Sequence, residues 1–93
     1  MSTEEDFARL ERSTFGQILA TIQKDETSEG EEGPTVRVRL AERHGMVPEI
    51  TMGPWDDTDE GWIQAQKFFE EADLQKTAED MAKMIDAMFA AGG

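Results

Sequence analysis

The chain has 93 residues, room for one small domain near the lower limit of what folds without staples. Its 21 Asp and Glu against nine Lys and Arg give a formal net charge of −12, which repels nucleic-acid phosphates and anionic lipid and attracts basic protein surfaces. Without cysteine there is no disulfide, thiolate metal site or thiol chemistry, and the acidic start MSTEEDFARLERS carries neither a signal peptide nor a spanning segment, so a soluble cytoplasmic domain is expected, with no direct nucleic-acid or membrane binding.

Ser2 to Ser13 opens with Ser2 and Glu5 at capping-box spacing, and Phe7 and Leu10 lie three apart; this predicts an N-terminal helix of about three turns. The period changes in FGQILATIQK, residues 15–24. There Ile18, Ala20 and Ile22 share one face, which predicts a strand. DETSEGEEG, residues 25–33, has five acids, two glycines and no periodicity, and reads as a mobile acidic hairpin loop. TVRVRLAER, residues 35–43, alternates clearly, with Val36, Val38 and Leu40 inward and Arg37 and Arg39 outward. After the turn at Arg43-His44-Gly45, MVPEITM gives a third strand with Ile50 and Met52 inward, and Pro48 makes it an edge.

Strands in succession with no helix between them imply an antiparallel meander, apolar on one face. From Glu60 onward the pattern is helical and supplies the cover. Trp62, Ala65, Phe69 and Ala72 form one stripe and Leu74, Ala78, Met81, Ile85 and Met88 another, rotated by roughly a third of a turn at ~100° per residue. The helix therefore breaks or bends near Ala72 to Thr77, with Asp73 or Thr77 capping the second piece. The expected fold is α+β, αβββα or αβββαα, in a single domain.

Chemistry concentrates in PWDDTDEGW, residues 54–62. Counted from Asp56 as an EF-hand-like loop, Asp56, Thr58, Glu60 and Gly61 take the first, third, fifth and sixth positions. The twelfth, which needs a bidentate Glu, is Lys67, and a strand rather than a helix precedes the loop, so no metal is expected. Helix-start chemistry explains more: Asp57 or Thr58 caps, and Asp59 and Glu60 occupy the first turn where the dipole favours anions. Trp62 falls on the core stripe, whereas Trp55 stands at the strand-to-helix corner as a core cover or a contact residue. A lone histidine, His44, beside a turn glycine, with no cysteine or tyrosine and serines only in the terminus and loops, points away from catalysis. No cofactor is implied.

What remains is acidic surface: Asp56, Asp57, Asp59 and Glu60, then Glu70, Glu71 and Asp73 about three turns along the helix, then the 25–33 loop. The expected function is a non-enzymatic interaction module that docks by these acids, with Trp55 as apolar anchor, on a basic, nucleic-acid-handling protein. In size, charge and lack of cysteine the chain resembles the small inhibitors encoded by phages and mobile elements, the anti-restriction and anti-CRISPR proteins among them, some of which present acids in place of nucleic acid. That resemblance is one of profile, carried by no motif. The alternative is a structural or adaptor subunit acting as a homodimer or larger homo-oligomer through its C-terminal helix or a sheet edge.

Overall fold

Four strands follow one another in an antiparallel meander, β1-β2-β3-β4, in a computed structural model that describes residues 7–92. They are β1 (Ala8–Ser13), β2 (Gly16–Glu26), β3 (Glu32–Leu40) and β4 (Glu49–Met52), followed by helices α1 (Asp59–Glu71) and α2 (Leu74–Gly92). The helices pack on one face of the sheet, α1 over β3 and β2, α2 across β1, β2 and β3.

Alternation fixes that face. Ile18, Ala20 and Ile22 stand opposite Leu40, Val38 and Val36, and all six are at most 3% exposed. Ala65 and Phe69 of α1 and Leu74, Ala78, Met81, Ala82 and Ile85 of α2 close over them. Phe69 is the largest fully buried side chain, and its truncation to alanine would cost about 3–5 kcal/mol. Ile50 and Met52 point the same way, opposite Val38 and Val36. Ile50 nevertheless stays 38% exposed, because β4 is a short edge that the helices barely cover.

The two helical stripes are separated as the phase shift requires. Helix α1 ends at Ala72, whose N–H donates to the Phe68 carbonyl, and Asp73 caps α2 by accepting from Lys76 N–H at 3.1 Å. Thr58 caps α1, its hydroxyl accepting from Gly61 N–H at 3.1 Å.

Two expectations change. Over Ala8–Ser13 a strand stands where the N-terminal helix was expected, paired with β2 from Ala8↔Thr21 to Ser13↔Gly16, while residues 2–6 of that expectation lie outside the described residues. The reason lies in which face carries which residues. Ala8, Leu10 and Arg12 line the open side of the sheet, and Arg9 and Glu11 face the helices, so the strand period is hidden behind reversed polarity. The 25–33 loop is also shorter than expected, since the strands run on to Glu26 and resume at Glu32. Thr27 to Glu31 make the turn, closed by Thr27 N–H to Glu31 O at 2.8 Å, with Gly30 at φ 85°.

Candidate docking surface

The acidic segment is pinned before it becomes helical. Trp55 N–H donates to the Pro34 carbonyl at 3.0 Å, and the Trp55 carbonyl lies so close to Gly33 that a Cβ there would collide with it. A Cβ on Gly61 would likewise fall on the Asp56 backbone. Residues 55–56 are thus held between two glycines, and Asp56 to Glu60 leave a fixed corner of the scaffold.

Lys24 links this corner to the β2–β3 hairpin. Its ammonium is 2.9 Å from Asp57 and 3.7 Å from Glu32, so the 56–60 acids and the hairpin acids Glu26, Glu29, Glu31 and Glu32 share one end of the molecule. Asp57 also accepts from the Trp62 indole N–H at 3.0 Å. Hydrogen bonds from Lys24 and Trp62 hold the Asp57 carboxyl below the ordinary aspartate range, and Asp57 raises the Lys24 ammonium above its own. Asp57 is therefore a constrained anion. Asp56, Asp59 and Glu60 are exposed and have no hydrogen-bond or ion-pair partner among the described residues.

Glu70, Glu71 and Asp73 sit at the far end of α1, about 18 Å from Asp59 at 1.5 Å per residue. Glu70 accepts from Gln66 at 3.2 Å, Asp73 is committed to capping α2, and Glu71 is unpaired among the described residues. No base occupies this last turn, where carbonyl oxygens already concentrate negative charge. Arg9 offsets it from β1: its Nη1 donates to the carbonyls of Phe69 at 2.7 Å, Ala72 at 2.9 Å and Glu70 at 3.3 Å, and its Nη2 pairs with Glu11 at 2.7 Å. The structure thus joins the first and third acid groups and leaves the second at the other end of the helix.

Trp55 is half-buried, packed against the core with its ring 5.6 Å from Phe68. The more exposed apolar group on α1 is Ile63, 66% exposed against 39% for Phe68, in a shallow depression lined by Trp62, Gln66, Lys67 and Glu70. Ile63 lies nearly opposite Ala65 and Phe69 on the helix, between Asp59, Glu60 and Glu70. Sequence reasoning passed over it; an isoleucine on the polar side of an amphipathic pattern was the available signal. Trp62, expected in the core, is half-buried with its indole N–H turned out to Asp57.

The opposite face of the sheet carries Arg37 and Arg39 in ion pairs. Arg37 reaches Asp25 at 3.2 Å and Glu49 at 3.5 Å, and Arg39 reaches Glu49 at 2.7 Å. At the β3–β4 connection Arg43 and His44 both bind Asp86, at 2.7 and 2.9 Å, and His44, at φ 53°, stacks on Phe89. Met84 and Met88 are 62% and 55% exposed on one flank of α2. Among the described residues no group of three or more His, Asp or Glu is arranged to hold a metal ion, and no helix is long and apolar enough to cross a membrane. Comparison with family models, curated proteins and solved structures gives no match.

Proposed function

We propose that this chain is a non-enzymatic interaction module that docks its acidic end on a basic, nucleic-acid-binding surface of another protein and competes there with nucleic acid, in the manner of anti-restriction and anti-CRISPR inhibitors. The observation that carries the reading is the convergence, around Lys24, of the hairpin acids and the α1 entry acids on a backbone pinned by Gly33 and Gly61. Carboxylates on a pinned backbone leave only side-chain freedom to be lost on binding, so their field can orient encounter with a basic groove as phosphates do. Ile63 supplies the apolar contact that the charges lack, while Glu70 and Glu71 extend the acidic row along α1.

The test is affinity capture from a lysate with the wild-type chain and with an Asp56→Asn, Asp59→Asn, Glu60→Gln variant, at low and high salt. Wild type is expected to retain a basic protein that salt releases and duplex DNA displaces, and the variant to retain it more weakly with a flatter salt dependence. Retention indifferent to salt, to DNA and to the three substitutions would remove the proposal.

A further inference from the structure

Among the described residues no strand pairs with the outer edge of β1. The Ala41 N–H to Gln17 carbonyl bond at 2.9 Å sets the alternation in β2, so Gln17 and Leu19 turn their backbone groups to β3, while Ile18 and Ala20 turn theirs to Glu11 and Arg9. The N–H and C=O groups of Ala8, Leu10 and Arg12 therefore face away from the sheet. Among the described residues only the Gln75 side chain meets them, donating to the Arg12 carbonyl at 3.0 Å. The other edge, β4, is four residues long and preceded by a proline; β1 has six residues, no proline and an unbroken register. Leu10, at its centre, is 62% exposed on the open face, beside a depression it shares with Leu19 and Val47.

We infer that β1 pairs antiparallel with β1 of a second copy, centred on Leu10, to make a continuous eight-stranded sheet. The charge pattern selects both occupant and register. Centred on Leu10, the pairing sets Arg9 opposite Glu11 of the other copy, Glu11 opposite Arg9, and Ala8 opposite Arg12, with the free backbone groups of residues 8, 10 and 12 meeting one another. Sliding the strands by one two-residue step either way sets Glu11 against Glu11 or Arg9 against Arg9, which opposes like charges directly. ARLERS carries two bases and one acid, so this seam is one of the few stretches of the chain that do not share its negative balance. The contact is isologous and closes at two copies.

Because the chain has no cysteine, one introduced thiol reports the seam. In the centred register residue 10 faces itself across a hydrogen-bonded pair at a Cα separation of about 5.5 Å, within disulfide range. Residue 11 faces its own copy only diagonally, beyond about 7 Å. Under mild oxidation Leu10→Cys is expected to convert largely to a covalent dimer and Glu11→Cys to stay monomeric. Sedimentation of the wild type should show a dimer, and Leu10→Lys, which changes an exposed side chain and should leave the circular dichroism intact, should show a monomer. A wild type that sediments as a monomer at high protein concentration, equal cross-linking at positions 10 and 11, or a dimer lost on Met88→Asp while Leu10→Cys fails to cross-link, would each overturn the inference. Salt separates it from the docking proposal: screening strengthens association of two like-charged copies and weakens docking on a basic partner.

Discussion

A methyl group at residue 61 would have to occupy the space of the Asp56 carbonyl oxygen, and this small steric fact places the acidic corner. Glycine inside a helix costs about 0.5–1 kcal/mol relative to alanine, so Gly61→Ala would stabilise an isolated α1. In this protein the added carbon meets backbone rather than a flexible side chain, and the substitution is expected to destabilise by about 1–3 kcal/mol. Thermal denaturation checks the sign; an unchanged or higher Tm would show that the 55–58 segment can move aside. The sequence pointed to Asp57 or Thr58 as the cap, and Thr58 is the one whose side chain accepts from Gly61. It offered no means of seeing that Lys24, over thirty residues earlier, would draw the hairpin acids to the same corner, because cross-chain ion pairs leave no periodic trace. Nor could it weigh Trp55 against Ile63 as the exposed anchor, since that depends on which way the corner turns before the helix begins.

At the scale of elements, α1 ends badly by itself, with Glu70 and Glu71 set against its dipole and its last carbonyls without a base of their own. Arg9 supplies the missing charge from a strand some sixty residues earlier, donating to three of those carbonyls with its side chain only 26% exposed. Arg9→Ala is expected to cost about 1–3 kcal/mol, as for loss of charge-assisted hydrogen bonds, and Glu71→Gln to shift the urea midpoint slightly in the opposite direction. Equal midpoints for Arg9→Ala and wild type would show that water serves those carbonyls as well. The same residue explains why β1 was misread. A strand that turns Arg9 and Glu11 toward the helices and its leucine toward solvent inverts the signal on which strand recognition relies, whereas β2 and β3 were legible where their buried residues alternate, over Ile18–Ile22 and Val36–Leu40, and not at residues 25–26 and 32–33, which read as loop. The helix break at Ala72–Asp73 was legible for the complementary reason: two apolar stripes out of phase cannot lie on one straight axis.

Across the whole molecule, three aspartates carry depressed carboxyl pKa values from paired geometry. Asp25 is held down by the Thr35 hydroxyl, then Gln23 and Arg37; Asp57 by Lys24 and Trp62; Asp86 by Arg43 and His44. A carboxyl that is more acidic folded than unfolded stabilises the fold above the ordinary value of 3.8, and that contribution disappears as pH falls through the lower folded values. The urea midpoint is therefore expected to drop below that point, and to drop less steeply when the three are changed to Asn; equal slopes would remove these groups as its source. The sheet that these pairs brace is completed by residue 52, whereas the side chains that cover its apolar face come from residues 61–85. On a ribosome the ~33 residues between Met52 and Ile85 take roughly 2–7 s to emerge. During that interval Ile18, Ile22, Val36, Val38 and Leu40 have emerged without the side chains that cover them in the finished fold.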